Sequence, residues 1–173
     1  MVNYMNIEIA VRTNSMAYAE DFKRINEDWI SSNFWLESSD IQVLNDSQKY
    51  ILDKGGNVFI ALLNGKPVGT CALQVHDALT CELTKMAVDT RAQGNGIGFL
   101  LGTTLIDKAR ERGFHRIILE GNTKMKASIL LYRKLGFSEV PFSKVEQSAA
   151  SHERCNIVME LTLSPLPQPE YYI

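Results

Sequence analysis

The hydrophobic positions along this chain follow two periods, and the change between them predicts the order of its elements. Apolar positions that alternate with polar ones indicate strands, while apolar positions three and four residues apart indicate amphipathic helices. Asn64-Gly65, between two strand-like runs, is typical of a tight hairpin turn. The predicted elements are, in chain order, a strand over 6–11, a helix from Ser15 (its N-cap) to about Ile30, a mixed segment over 31–45, a short helix over 47–53 that Asp46 caps and Gly55-Gly56 end, strands over 57–63, 66–73 and 81–88, a helix over 96–112 closed by Gly113, a strand over 116–120, a helix over 126–135 stopped by Gly136, and strands over 137–140 and 156–163.

The rest of the chain contains no further regular element in this interpretation. Residues 143–154 are polar and predict a long exposed connection before the last strand. The tail over 164–173 carries Pro165, Pro167 and Pro169, which excludes a helix and a central strand there. No internal repeat and no linker divides the sequence, so we expect one α/β domain over residues 1–173 that ends in a Pro-rich tail.

Composition and charge exclude several classes of function. The 173 residues are 45% hydrophobic and 22% charged, which is ordinary for a soluble globular protein. A formal net charge of −2 provides no basic surface for nucleic acid, so we expect no nucleic-acid partner. Residues 1–10 do not form a signal peptide, and no apolar run is long enough to cross a bilayer. We therefore expect a cytoplasmic protein with no membrane contact.

The cysteines and histidines predict neither disulfides nor a metal site. Cys71, Cys81 and Cys155 are odd in number, with no Cys-x-x-Cys pair, which argues against a disulfide framework and a zinc knuckle. The three histidines are far apart in the sequence and lie near no matching cluster of carboxylates or cysteines. We therefore expect no metal ligand among them; they are His76, His115 and His152.

The most informative stretch is a glycine-rich turn between a predicted strand and a predicted helix. An apolar strand ends at Val88, and Gly94, Gly96 and Gly98 then open an amphipathic helix. Glycine allows a positive φ and lets a ligand approach the backbone closely. Free N–H groups at the positive end of a helix dipole form a cradle for an anion such as a pyrophosphate.

Three phosphate-binding motifs compete for this turn. A P-loop requires Gly-Lys-Ser/Thr, which is missing here because Ile97-Gly98-Phe99 follow the glycines. A dinucleotide fingerprint needs its third glycine one residue later and a shorter connection to the strand, although Glu120 would suit as its ribose-binding acid. Arg91-x-x-Gly94-x-Gly96 matches the Arg/Gln-x-x-Gly-x-Gly/Ala pattern that the GNAT superfamily of N-acetyltransferases uses to bind coenzyme A.

A second motif strengthens this resemblance. Tyr132-x-x-x-Gly136-Phe137 is similar to the helix end that forms another GNAT signature, and the likeness runs from about Asn57 to Val140. The segment from Glu82 also looks like the acetyltransferase half of some regulator–acetyltransferase fusions. The resemblance implies a central, mostly antiparallel sheet that is splayed between its fourth and fifth strands, with helices on both faces.

The resemblance also implies a binding site for acetyl-CoA as the acetyl donor. The strand before the turn would offer main-chain groups to the pantetheine arm, and the turn would hold the pyrophosphate. Many family members have an Asn where this chain has Met125, and Asn122 is the candidate to take over its contact with the coenzyme. The implied coenzyme-binding residues are Met86, Ala87, Val88, Arg91, Gln93, Gly94, Asn95, Gly96, Ile97, Gly98, Asn122 and Tyr132.

The implied reaction is direct attack of a primary amine, of a small molecule or peptide, on the thioester. Glu82 and Glu120 align with carboxylates that serve as general bases in different family members, and Glu82 is narrowly preferred. Tyr132 would protonate the departing thiolate, and the Met86 amide would donate to the thioester oxygen. The acceptor site would come from the N-terminal helices, the Phe34-Trp35 region and residues 143–154, where Glu37 and Asp40 are candidates to attract a cationic amine.

Two other classes of function remain open at this point. A CoA-binding regulatory module without catalysis would keep the glycine turn, and a nucleotide-dependent enzyme would use the same turn for ATP. Tyr132 and the two candidate bases speak against a module without catalysis. The C-terminal residues Tyr171, Tyr172 and Ile173 suggest docking on a second subunit, which would make the protein a homodimer.

Overall fold

The computed structural model describes residues 8–141 and 152–163. Seven strands in these residues form one sheet in the order β1-β2-β3-β4-β5-β7-β6, and every neighbouring pair is antiparallel except β4 and β5. The first predicted strand, over 6–11, begins outside the described residues. Within them the strand covers Ile9–Thr13, two residues further along the chain than predicted at its C-terminal end. The elements are β1 (Ile9–Thr13), α1 (Ala19–Asn33), α2 (Ser38–Asn45), β2 (Asn57–Leu63), β3 (Lys66–Val75), β4 (Thr80–Val88), α3 (Ile97–Glu111), β5 (Arg116–Gly121), α4 (Lys126–Lys134), β6 (Ser138–Val140) and β7 (Ile157–Thr162).

Most of the predicted turn residues form turns or end helices at the positions that the sequence predicts. Asn64 and Gly65 have φ of 50° and 76°, the left-handed pair that a two-residue hairpin between β2 and β3 requires. Gly113 and Gly136 follow α3 and α4 with φ of 80° and 101°. The short helix after Asp46 is a π-helical turn over Gln48–Leu52, and the Asp46 carboxylate accepts a hydrogen bond from the Lys49 N–H at 3.0 Å.

Two details of the N-terminal half differ from the prediction. Ser15 makes no side-chain cap; a 3₁₀ turn over Met16–Tyr18 follows it, and α1 begins only at Ala19. The mixed segment contains α2, which eight residues with few apolar positions could not reveal by periodicity. A capping box starts this helix, since the Asp40 carboxylate accepts a hydrogen bond from the Glu37 N–H at 3.1 Å.

Helices cover each face of the sheet, and successive side chains of β2 point alternately into the two cores. Phe59 and Ala61 point to the core beneath α3 and α4, while Ile60 and Leu62 point to the core beneath α1 and α2. Strand residues buried on both faces explain the nearly continuous apolar character of this run. Among the described residues, no helix combines the length and the apolar surface that a bilayer crossing would require.

The sheet opens between β4 and β5, which confirms the predicted splay between the fourth and fifth strands. Their parallel pairing joins only residues 80–82 to 116–118, and the rest of β4 continues without a ladder to β5. An irregularity in the register of β3 and β4 lies just past the last paired residues. Lys85 there adopts a φ of 53°, which is unusual for a residue with a side chain.

A buried carboxylate on α2 holds this irregular point of β4 in place. Asp40 is fully buried, and its Oδ1 accepts a hydrogen bond from Lys85 Nζ at 2.7 Å and from Arg154 Nη2 at 2.9 Å. Burial alone would raise the pKa of Asp40, but hydrogen bonds from the surrounding cations hold it well below its usual value. The Lys85 carbonyl also accepts from Thr70 Oγ1 at 2.9 Å, so both ends of Lys85 are fixed.

We expect Asp40→Asn to lower the free energy of unfolding by about 3–5 kcal/mol, because it leaves two buried cations without their shared anion. The matched control is Asp107→Asn on α3, where the side chain is 76% exposed and, among the described residues, pairs only with Arg110. That change should stay within about 0.5 kcal/mol of the unmodified protein. Urea unfolding measures both values, and equal small losses would contradict the structural role of Asp40.

Candidate active site

The opening between β4 and β5 leads into a groove of about 450 Å³ beside the start of α3. The groove brings together most of the residues that the sequence assigns to the coenzyme, from the end of β4 and from the glycine turn. Side chains of α1 and α4 form its other walls. The lining residues are Trp29, Met86, Ala87, Val88, Gln93, Gly94, Gly96, Ile97, Gly98, Phe99, Met125, Ala127, Ser128, Leu131 and Lys134.

The glycine turn presents unpaired backbone N–H groups at the start of α3. Gly94 and Gly96 have φ of 81° and 75°, and a Cβ placed on either would meet no atom of a described residue within 4 Å. The first helical hydrogen bond runs from the Leu100 N–H to the Gly96 carbonyl at 3.0 Å. Within the described part of the chain, no group accepts a hydrogen bond from the N–H groups of residues 94–99. These amides and the helix dipole together form a site for an anion.

Several of the predicted coenzyme residues also have a structural role at the turn or lie at the margin of the groove. Arg91 lies on a 3₁₀ turn and lines an adjoining groove of about 700 Å³. Asn95 Nδ2 donates to the Ala92 carbonyl at 3.0 Å, and Gln93 Nε2 donates to the Val88 carbonyl at 3.2 Å, so both side chains brace the turn. At Gly98 a Cβ would lie 3.0 Å from a methyl group of Leu131, so its small size also allows α3 to approach α4.

Asn122 lies beside the groove with both polar ends of its side chain in use. Its Nδ2 donates to the Arg154 carbonyl at 2.6 Å, and its Oδ1 accepts from the Lys124 N–H at 2.8 Å. The residue thus holds the segment before β7 against the end of β5. A contact with the coenzyme from Asn122 would use the second amide hydrogen or the second lone pair.

A smaller cavity of about 90 Å³ adjoins the groove and contains all three candidate catalytic side chains. Glu82, Glu120 and Tyr132 line it, and Met86 and Trp29 line both the cavity and the groove. The groove at the glycine turn and the cavity at the two carboxylates therefore lie side by side. The other lining residues are Asn26, Ile30, Phe34, Leu83, Thr84, Lys85, Gly121, Asn122, Met125, Ser128, His152, Arg154 and Cys155.

Tyr132 lies where the end of α4 meets the cavity. Its ring packs edge-on against Phe137, with the ring centroids 6.3 Å apart. Burial raises the pKa of Tyr132, so the phenol keeps its proton at neutral pH. Its hydroxyl makes no hydrogen bond to any residue of 8–141 or 152–163, which leaves the proton available to a ligand.

Each candidate base has a histidine beside it, which the sequence did not predict. Glu82 Oε2 lies 2.6 Å from His76 Nε2, and this hydrogen bond raises the pKa of His76 against the opposing effect of burial. Glu120 Oε2 accepts from the His152 N–H at 3.2 Å and lies 3.5 Å from His152 Nδ1. The carboxylates of Asp40 and Glu120 likewise raise the pKa of His152. Glu120 and His152 are remote in sequence, while a turn between β3 and β4 separates His76 from Glu82.

The acids predicted to attract the acceptor amine are already engaged. Asp40 binds Lys85 and Arg154, and Glu37 accepts from Arg154 Nη1 at 3.1 Å. These carboxylates hold the segment before β7 rather than a ligand, which corrects the expectation from their sequence position. Phe34 lines the cavity as predicted, whereas Trp35 is 55% exposed and is not among the lining residues. The part of the predicted acceptor loop before residue 152 lies outside the described residues.

The structure also corrects the argument that no histidine lies near a cysteine or carboxylate cluster. Glu120, His152 and Cys155 each offer one ligand atom, and these atoms lie within 4.8 Å of one another. The His-x-x-Cys spacing was the available signal, but the carboxylate comes from another strand. Burial raises the pKa of the Cys155 thiol to about 12.

Comparisons with known proteins give the same fold and the same family. The model of the acetyltransferase (GNAT) family matches residues 17–137. Rat N-acetylaspartate synthetase is 36% identical over 95 residues, which cover 53% of this chain and only 31% of that protein. A GNAT-family acetyltransferase of Staphylococcus aureus Mu50 has a TM-score of 0.84 at 22% identity, over 91% of this chain and 100% of that one. An acetyltransferase of Salmonella typhimurium, solved with its cofactor acetyl-CoA, has a TM-score of 0.68 at 21% identity, over 95% and 99% of the two chains.

The hydrogen bond between His76 and Glu82 should make stability depend on pH. Because the pKa of His76 is raised in the folded state, its contribution is complete below the ordinary value of about 6.5 and is lost as the pH rises through the folded-state pKa. At low pH the contribution should be about 1.5–3 kcal/mol, as for a hydrogen bond between charged groups.

Urea unfolding of the unmodified protein and of His76→Gln, from about pH 5.5 to about 9, brackets the ordinary histidine pKa. We expect the difference in unfolding free energy to be largest at the acidic end and to shrink with rising pH. Glu82→Gln should abolish the same dependence, because it removes the acceptor. A constant difference over the whole range would contradict this pairing.

Proposed function

The chain belongs to the acetyltransferase (GNAT) family, and on that premise we propose that it moves an acetyl group from acetyl-CoA to a primary amine of a small molecule or peptide. The observation that carries the proposal is that the groove beside the unpaired amides of residues 94–99 adjoins the cavity lined by Tyr132 and two glutamates. An anion cradle joined to a group-transfer cavity suits a long coenzyme with a diphosphate at one end and a reactive acyl group at the other.

Acetyl-CoA would bind with its pyrophosphate on the glycine turn. Gly94, Asn95, Gly96, Ile97 and Gly98 would supply backbone N–H groups, and Gln93 would contact the pyrophosphate beside them, because its own N–H donates to the Thr90 carbonyl at 3.4 Å. Arg91 and Asn122 would lie at the margins of the bound coenzyme. The pantetheine arm would follow the unpaired edge of β4 at Met86, Ala87 and Val88. The Salmonella typhimurium relative bound to acetyl-CoA supports this choice of donor.

Glu82 is proposed as the general base that takes a proton from the attacking amine, directly or through water. Its carboxylate faces the cavity while its other contact, His76, is not among the residues that line it. His76 therefore holds the carboxylate in place from outside the cavity. Glu120 is the second candidate, although it also accepts a hydrogen bond from the backbone of residue 152.

The proposed step forms one bond and breaks one bond, and the base and Tyr132 transfer the protons that it requires. The amine nitrogen forms a bond to the thioester carbon, the N–H of Met86 donates to the developing oxyanion, and the carbon–sulfur bond then breaks. Tyr132 gives its proton to the departing thiolate, and the proton taken by the base restores the phenol through solvent. Burial of Tyr132 keeps the phenol protonated until the thiolate forms beside it.

The cavity and one relative support the proposed acceptor class. A cavity of about 90 Å³ holds several water-sized volumes of about 10–15 Å³ each, enough for an acetyl group and a small amine. Carboxylates of Glu82 and Glu120 favour an acceptor that arrives as a cation. The similarity to N-acetylaspartate synthetase supports an amine of a small molecule, although the matched region is 31% of that protein.

Replacing Gly96 by leucine should weaken acetyl-CoA binding at least tenfold, which corresponds to about 1.4 kcal/mol. Its side chain would project beside the unpaired amides, because Gly96 lines the groove and no residue of 8–141 or 152–163 fills that space. Gly65→Leu is the matched control, since Gly65 has nearly the same φ, 76° against 75°, and equally open surroundings. Titration calorimetry measures both affinities, and equal affinities would contradict the proposed coenzyme site.

Free-thiol release from acetyl-CoA, measured over polyamines, amino acids, aminoglycosides and peptides, tests the reaction itself. We expect Tyr132→Phe to lower kcat by about 10²-fold or more without weakening acetyl-CoA binding, as for loss of a general acid. Glu82→Gln should lower kcat more than Glu120→Gln, while Glu139→Gln on the exposed strand β6 should change nothing. Binding without thiol release for any amine would instead favour a CoA-binding regulatory module.

A further inference from the structure

Three side chains of different chemistry converge at the floor of the cavity. His152 and Cys155 lie on one tight turn, in which the Cys155 N–H donates to the His152 carbonyl at 2.9 Å. Glu120 reaches the same point from β5 and is held there by the His152 N–H. A turn that presents two ligands three residues apart, completed by a third from a strand, is a common arrangement at metal sites.

The distances fit a tetrahedral metal ion. Zinc bonds of about 2.0–2.3 Å place neighbouring ligand atoms about 3.3–3.6 Å apart. The 3.5 Å between His152 Nδ1 and Glu120 Oε2 already falls in this range. The thiol of Cys155 lies within 4.8 Å of both atoms, so the sulfur has only a short distance to move to join the set.

The chemical type of the three donor atoms indicates which metal ion the site would bind. An imidazole nitrogen, a thiolate and a carboxylate form a borderline-soft set that suits Zn²⁺ and excludes the oxygen-seeking Mg²⁺ and Ca²⁺. Asp40 Oδ1 lies 3.2 Å from His152 Nε2, the ring nitrogen on the far side from Glu120. Nε2 is buried, and no described residue makes a well-aligned hydrogen bond to it. Metal-bound histidines usually orient this second nitrogen toward such a carboxylate.

We propose that Glu120, His152 and Cys155 form a Zn²⁺ site whose fourth position opens into the cavity. Zinc would displace the thiol proton of Cys155 and the proton on His152 Nδ1, and both would go to solvent. Arg154 beside the site does not oppose the ion with a free charge, since its guanidinium is bound to Asp40 and Glu37. The bound ion would occupy the space for the acceptor amine, so zinc would inhibit acetyl transfer without displacing acetyl-CoA.

Co²⁺ tests the site independently of any enzymatic activity. We expect one equivalent of Co²⁺, added to metal-free protein, to give a near-ultraviolet thiolate-to-cobalt absorption band that Zn²⁺ abolishes. Cys155→Ser should remove this band and weaken Zn²⁺ binding at least tenfold in competition with a chromophoric chelator. Cys81→Ser is the matched control and should keep the band, because Cys81 is buried in the core beside α3.

Zinc inhibition provides the second readout. Zn²⁺ should lower the rate of free-thiol release by the unmodified protein, and the Cys155→Ser variant should need at least tenfold more Zn²⁺ for the same loss. His152→Gln should also lose the cobalt band, which keeps the test valid if Cys155→Ser does not fold. Absence of the band in the unmodified protein, or its persistence in either variant, would overturn the zinc site. Neither result would affect the transferase assignment, which rests on acetyl-CoA binding and thiol release.

Discussion

The candidate active site is held together by one buried carboxylate, Asp40, which binds Lys85 and Arg154 at the same time. Through Lys85 it stabilises the left-handed residue of β4 just beyond the last pairs with β5. Through Arg154 it fixes the segment that carries His152 and Cys155 against α2. Because a buried anion without partners is very unfavourable, these three parts of the chain must come together as a unit. The contact thus joins α2, the irregular point of β4 and the segment before β7 beside the opening between the strands.

Local sequence signals predicted the parts of the site that depend on the backbone. The Asn64-Gly65 hairpin needs only two residues with positive φ, and the glycine turn before α3 needs only glycines next to a helix start. Both turns depend only on residues that are close together in the sequence, so they were predicted at the correct residues. The same holds for the ends of α3 and α4, where Gly113 and Gly136 follow the last turns.

Contacts between remote side chains could not be predicted in this way. Nothing in the sequence around Asp40 indicates that it faces Lys85 and a residue more than a hundred positions away. The pairing of Glu82 with His76 and the approach of Glu120 to His152 depend on how strands and turns pack in three dimensions. Helix α2 was missed because it is stabilised by its capping box and by packing rather than by a regular apolar pattern.

In the proposed coenzyme site, the N–H groups of residues 94–99 bind the diphosphate of acetyl-CoA while the open edge of β4 receives its pantetheine arm. Backbone amide chemical shifts during a titration with acetyl-CoA test it most directly. We expect large changes at residues 94–99 and at Met86, Ala87 and Val88, with no comparable changes on addition of ATP or NAD. Saturable binding that leaves the amides of the glycine turn unchanged would contradict this account.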